Sequence, residues 1–357
     1  MADDILNLTK QLISIPSVAG NPDALLQALK VAEDHLGGHD FTSFSSNNNP
    51  SIFYSNKDKD LKKFKVILNA HLDVVPGEKE QFAPYEKDGK LYGRGAYDMK
   101  SSAAVMIALF KEIASKVPYA LGLELTTDEE RGGVDGTKYQ IEQGIRAEFA
   151  LVGEGTRFRI INESKSIIDL KITAKGHSAH SAYPWLGENA ILKIHEAISK
   201  ILELYPVPEE ETPETTVSIV KIETTNVAHN IIPDNCTAYL NCRYIKKDKD
   251  TIIPRIQSML PAGVTLEVLY RDLPYQSNPE SSYLASLRKS AEEVLNRDVL
   301  LATAHGTSDA RYFRNADCDA VEFGPVGYNH HADEEWVDIK SLEAYYKILK
   351  KFLLSIK

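Results

Sequence analysis

Cysteine is scarce in this sequence. Cys236, Cys242 and Cys318 are the only three, and they form neither a CxxC nor a pairing pattern. No disulfide framework can be built on them, and free thiols in a reducing cytoplasm are expected. Positive charge is also short. Lys and Arg number 41 against 51 Asp and Glu, a formal net charge of −10. That argues against a nucleic-acid or anionic-membrane partner. No run is apolar for long enough to cross a bilayer. The opening "MADDILNLTKQLISIPS" has no basic segment leading into an apolar one, so no secretory signal is read there and a cytoplasmic location is expected. Repeats and low-complexity tracts are missing too, and acidic "PVPEEETPETT" (206–216) reads as a solvated loop.

What is present is a long chain of ordinary globular composition. Its 357 residues are enough for a sizeable core and two domains. Residues 4–15 carry Ile5, Leu8 and Leu12 at helical spacing, stopped by Pro16, and 24–36 read as a second helix. "FKVILNA" (64–70) is a short continuous apolar run, as in a strand covered on both faces. A helix follows at 101–117, then strands "LGLELTT" and "EFALVG". This is an α/β pattern with a mainly parallel sheet and helices on both faces.

Near Ser164 the texture changes. "SIIDLKITAKG" alternates like a half-buried strand, and the order from there is β-α-β-β-α-β. Residues 164–272 are therefore expected to form an inserted ferredoxin-like α+β domain, with 1–163 and 273–357 making the α/β domain around it. The last helix carries Leu342, Tyr345, Leu349, Phe352 and Ile356 on one face.

In an open α/β sheet, functional residues gather beyond the carboxyl ends of the strands. Read that way, "FKVILNA" is followed by His71 and Asp73, and the hairpin-like "KDGKLYGRGAY" by Asp98. "LGLELTT" is followed by Asp128, Glu129 and Glu130, "EFALVG" by Glu154, and "CDAVEFGP" by "VGYNHHADEEW" with His330 and His331. Singly, each is more often a helix cap or a solvated charge. Together they would repel unless cations bound them. Mixed His and carboxylate ligands suit zinc, with cobalt or manganese as substitutes. The acids are too many for one four-coordinate ion, so two metals sharing a carboxylate are expected. His71 can bind through one ring nitrogen while Asp73 takes the other N–H. Glu129 and Glu130 project differently, so one can bind while the other serves as general base.

"HLDVVP", "YGRGAYDMK", "TTDEERGG", "LVGEGT" and "HHADEEWV" resemble the motifs of a zinc-dependent amidohydrolase and exopeptidase family. That family includes acetylornithine deacetylase, succinyl-diaminopimelate desuccinylase, aminoacylase and glutamate carboxypeptidase. The resemblance runs from the first helix to the last. "GHSAHSAYP", "HNIIPDN", "NCRY" and "HGTSDARYF" add lid and substrate-site elements to it.

The resemblance implies that His71 and Glu154 hold one zinc ion, Glu130 and His331 hold a second, and Asp98 bridges them beside a cis peptide to Met99. It implies that Asp73 orients His71 and that Glu129 is the general base. His180 would polarise the scissile carbonyl across a homodimer formed through the inserted lid domain. Arg243 would hold a substrate carboxylate, with Asn230, Thr307 and Ser308 in the substrate site. The expected reaction is hydrolysis of an N-acyl amino acid, with a dipeptidase or carboxypeptidase as the alternative. His330 and His177 are the neighbouring alternatives to His331 and His180. Gly155 stands where the family often has proline, and "DMKS" replaces the frequent "DMKG".

Overall fold

The computed structural model describes residues 2–357. The chain divides into two compact units. One comprises the residues up to Glu163 with Ser277–Ala302 and Ser308–Lys357; the other comprises Ser164–Gln276 with Thr303–Thr307.

The first unit begins with α1 (Ala2–Ile13) and α2 (Pro22–Leu36), followed by the hairpin β1 (Phe41–Ser46) and β2 (Asn49–Ser55). Then come β3 (Lys63–His71), β4 (Tyr85–Lys87), β5 (Lys90–Tyr92) and α3 (Lys100–Ile113). β6 (Leu121–Thr126), α4 (Thr137–Glu142), β7 (Arg146–Val152) and β8 (Ile160–Ser164) complete the run. The second unit holds β9 (Ser166–Lys175), α5 (Ala190–Leu204), β10 (Thr216–Glu223), β11 (Asn235–Tyr244), α6 (Ile252–Met259) and β12 (Val264–Arg271). The remainder is α7 (Ser282–Leu295), β13 (Leu301–Ala304), α8 (Ala310–Asn315), β14 (Asp319–Glu322), β15 (Gly327–Tyr328), β16 (Trp336–Asp338) and α9 (Ile339–Ser355).

In the first unit the main sheet runs β1-β2-β6-β3-β7-β14-β8-β13. Its centre, β6-β3-β7-β14, is parallel. The β1–β2 hairpin joins antiparallel to β6 and makes the sheet mixed at that end. Residues 41–55 are rich in Ser and Asn, which is unusual for strands. Asn47 and Asn48 adopt positive φ and supply the tight turn that a two-residue hairpin needs. α3 is buried almost all round, because α1 and α9 flank it while the sheet lies beneath. Lys100, in its first turn, is fully buried and donates to the carbonyls of Leu12 (2.9 Å) and Ile15 (2.8 Å) at the end of α1. Burial pushes its ammonium down to about 7. α9 ends at Ser355, so Leu342, Tyr345, Leu349 and Phe352 form its buried stripe while Ile356 lies just beyond. A small antiparallel sheet, β15-β16-β5-β4, ties residues near 336 to residues near 92.

In the second unit four antiparallel strands run β10-β11-β9-β12, the ferredoxin-like order. β9 alternates buried and half-buried residues. Ile168, Leu170 and Ile172 point to a core shared with Ile194 and Ile201 of α5 and Ile252 and Ile256 of α6.

Register sets the functional rim. His71 lies level with Thr126, Asn69 with Val152, and Val152 with Glu322. Four parallel strands therefore end together, and whatever follows each one emerges on the same edge.

Candidate metal centre

Two groups of ligand-type side chains meet at this rim. His71, Asp98 and Glu154 each offer an atom within 4.8 Å of the others, and so do Asp98, Glu130 and His331. Asp98 belongs to both. Its Oδ1 lies 3.2 Å from His71 Nε2, and its Oδ2 lies 3.2 Å from His331 Nε2. Glu154 Oε1 is 3.7 Å from His71 Nε2, and Glu130 Oε2 is 3.0 Å from His331 Nε2. The peptide between Asp98 and Met99 is cis.

The local chain explains how these groups converge. His71 closes β3 and is 1% exposed. Its Nδ1 donates to the backbone carbonyl of Asp73 at 3.0 Å, which leaves Nε2 for the centre. The Asp73 carboxylate is farther from that nitrogen, at 3.5 Å. It instead accepts from the backbone N–H groups of Glu129 (3.3 Å) and Glu130 (3.0 Å). Asp73 therefore reaches His71 mainly through its carbonyl, and its side chain grips the turn bearing both glutamates.

That turn is a single 3₁₀ turn, Glu129–Arg131. Gly132 ends it at φ 99, a conformation open to glycine and costly for other residues. Asp128 is buried and its carboxylate accepts from the N–H of Asp135 at 2.7 Å, so it braces the loop beyond the turn. The buried Arg311 donates to the Gly132 carbonyl at 2.8 Å and to that of Ser308 at 2.7 Å. Tyr312 OH donates to the same Gly132 carbonyl at 2.5 Å.

Glu154 follows β7, flanked by Gly153 and Gly155. A Cβ at position 155 would lie 2.3 Å from the ring of Tyr97, which occupies that space. His331 adopts φ 64, an uncommon backbone for a non-glycine residue and of the kind concentrated at functional sites. His330 points elsewhere, toward the ring of Tyr97 at 6.0 Å between centroids.

The electrostatics are those of anions seeking cations. Glu154 Oε1 is buried with no hydrogen-bond partner. Burial first, then Asp98, pushes Glu154 well above the carboxylate range. Glu129 is raised too, by burial and by Asp309, Asp98 and Glu130, against the pull of His71. Asp98 moves the other way: burial would raise it, but His331 and His71 hold it well below the usual value. Bonds to Asp98 and Glu130 lift His331 to about 10. Burial opposes the same shift in His71, yet Asp73, Asp98 and Glu154 still raise it. An orphaned carboxylate oxygen and a mixed imidazole–carboxylate donor set fit a divalent cation of the zinc type.

A stability prediction follows from these shifts. A group whose pKa is raised on folding stabilises below its unfolded value and loses that contribution as pH climbs through the folded one. For His331 the window runs from 6.5 to about 10. Glu129 and Glu154, also raised, act in the same direction from 4.5 upward. In chelator the melting temperature is therefore expected to fall as pH rises from 6.5 to about 10. Thermal unfolding in pH steps measures this, and a rise across the window would contradict the geometry.

The other residues singled out from sequence are divided between the two units. Ser308 is buried in the first unit and donates to Glu322 at 2.6 Å. His180, Asn230, Arg243 and Thr307 belong to the second unit. His180 is exposed and its Nδ1 accepts from Ala182 N at 3.0 Å. Asn230 is exposed, with its carbonyl taking the N–H of Ser181 at 2.9 Å. Thr307 is half-buried. Arg243 on β11 donates to Asn241 at 3.2 Å, and among the described residues no carboxylate pairs with it. No helix among the described residues is long and apolar enough to cross a membrane.

The model of peptidase family M20/M25/M40 matches residues 67–355. A succinyl-diaminopimelate desuccinylase of Delftia acidovorans is 29% identical, covering 99% of this chain and 98% of its own. A tripeptidase from Staphylococcus aureus superposes with a TM-score of 0.80 at 20% identity, covering 99% of this chain and 98% of that one. An M20 family metallo-carboxypeptidase from Sulfolobus solfataricus gives 0.76 at 17% identity, with 98% of each chain covered.

Proposed function

Because the chain belongs to peptidase family M20/M25/M40, we propose that it hydrolyses the amide bond of an N-acyl amino acid at a two-cation centre. The observation that carries this reading is Asp98, whose two oxygens face two separate His–carboxylate groups. His71 and Glu154 would hold one ion, Glu130 and His331 the other, and Asp98 both. Zinc suits the donors, and cobalt or manganese could substitute. Ions held there would polarise the scissile carbonyl and lower the pKa of water.

The protein's own part is proton handling. Glu129 sits on the turn that Asp73 grips, beside Glu130. Its carboxylate takes the proton of the attacking water and passes it to the departing amine nitrogen. One C–O bond forms, one C–N bond breaks, and Glu129 ends as it began. His180 would stabilise the oxyanion from a second copy of the chain. Arg243, with no carboxylate partner among the described residues, would pair with one on the substrate, and Asn230, Thr307 and Ser308 would complete the substrate site. The second unit would then act as a lid and dimer surface.

Full-length relatives named desuccinylase favour an N-acyl amino acid, as in the Delftia acidovorans protein. Structural neighbours named as tripeptidase and carboxypeptidase favour the second reading, a peptidase with the same cations. A panel of N-succinyl and N-acetyl amino acids, dipeptides and tripeptides, assayed with and without chelator, separates them. Turnover of the N-acyl compounds, lost in chelator, is expected. Members lacking a free carboxylate should be poor substrates, and specific activity should fall on dilution below the dimer range. Preference for peptides would replace the deacylase reading, and full activity in chelator would remove both.

A further inference from the structure

Behind the shared ligand lies a carboxylate with no place in the scheme above. Glu335 is 1% exposed, as deeply buried as His71 and deeper than Asp98, Glu130, Glu154 and His331. Its Oε1 accepts from the backbone N–H of Tyr97 at 2.8 Å and of Asp98 at 3.0 Å. Its Oε2 accepts from the N–H of Gly95 and from Arg94 Nη1, both at 3.0 Å. Its own carbonyl takes the N–H of Gly93 at 3.1 Å. The loop "GRGAYD" (93–98) is thus wrapped around a single side chain.

The arrangement is specific to glutamate. A buried carboxylate is costly unless its oxygens are filled, and here each oxygen takes two N–H donors. Glutamine would turn an NH₂ toward one of those donor pairs, leaving them unsatisfied. Aspartate is one methylene short of spanning all three amides. Glu335 also lies four residues beyond His331, and its neighbour Trp336 pairs with Tyr92 across the small sheet. One side chain therefore couples the segment that carries His331 to the backbone that carries Asp98.

We propose that Glu335 is a positioning residue of the metal centre: by gathering the amides of Gly95, Tyr97 and Asp98 it fixes the Asp98 carboxylate midway between the two ligand groups. It touches neither ion nor substrate. Asp98 must present Oδ1 to one group and Oδ2 to the other, so freedom in its backbone weakens both sites together. Partners that orient a ligand in this way are typically worth about 10–100-fold in metal affinity. The inference rests on Asp98 being a shared ligand.

The test is cobalt titration of chelator-treated, dialysed full-length protein, followed by calorimetry and by the visible absorption of bound Co²⁺. Wild type is expected to take two ions. Glu335→Gln should bind both about 10–100-fold more weakly, with an altered spectrum. Arg94→Met removes the ion pair but keeps the three amide bonds. It should lower the melting temperature while leaving cobalt affinities and spectrum at wild type. Should Glu335→Gln fail to fold by circular dichroism, Glu335→Asp keeps the charge and should still bind both ions more weakly. Wild-type cobalt affinities and spectrum in the folded Glu335 variant overturn the proposal. So does an Arg94→Met protein that matches it, since the effect would then be stability alone. A wild-type protein that takes no cobalt would overturn the shared-ligand reading itself, a result distinct from either.

Discussion

Glu129→Gln is expected to lower kcat by about 10²–10⁴, or roughly 3–5 kcal/mol of transition-state stabilisation. Metal content should stay at wild type. The two effects separate because Glu129 is held in place by its backbone N–H, which donates to Asp73 and is untouched by the substitution. Glutamine matches the shape of glutamate but cannot carry the proton. KM should change little, since no ligand to substrate or ion is lost. Steady-state kinetics paired with metal analysis reads both quantities. A variant that keeps full turnover would take Glu129 out of the mechanism. One that loses its metal would make Glu129 a ligand and leave the proton to another group.

The second large effect belongs to Asp98. Asp98→Ala removes the only side chain common to both ligand groups, so neither ion keeps its full set. Metal content should drop below one per chain and activity should fall to the level of chelator-treated wild type. Loss at one outer ligand should be milder in stoichiometry. His331→Ala would keep His71, Asp98 and Glu154 together and should retain about one ion. Equal metal content in Asp98→Ala and His331→Ala would mean that Asp98 is not shared.

Much of this centre was legible because an α/β sheet delivers strand ends to one rim. His71, Glu130, Glu154 and His331 each follow an apolar run in the sequence, and the strand register brings them level. The residues that hold them were harder to see. Glu335 stands in an acidic run, "ADEEW", that looks solvated, and only folding shows it filled with N–H donors. Arg311 of α8, given no role in the sequence reading, is buried against the carbonyls of Ser308 and Gly132. Asp73 was expected to serve His71 with its carboxylate. The backbone carbonyl reaches that ring first, and the freed carboxylate meets the turn of Glu129. The hairpin β1–β2 was hidden by its Ser and Asn content, because β2 is held by pairing with β6 and β1 by pairing with β2 more than by propensity. Gly155, a departure in the motif, is accounted for by the Tyr97 ring that fills its space.

Lys100 bears on where this protein can be cut. The family match begins at residue 67, and a fragment beginning there would look self-sufficient by motif. It would hold every ligand of both groups. It would also lose both carbonyls that receive the Lys100 ammonium, Leu12 and Ile15, together with the helix α1 that packs on α3. Lys100 opens α3, two residues from Asp98. The smallest portable form of the centre therefore includes the first helix, which contributes no ligand to it.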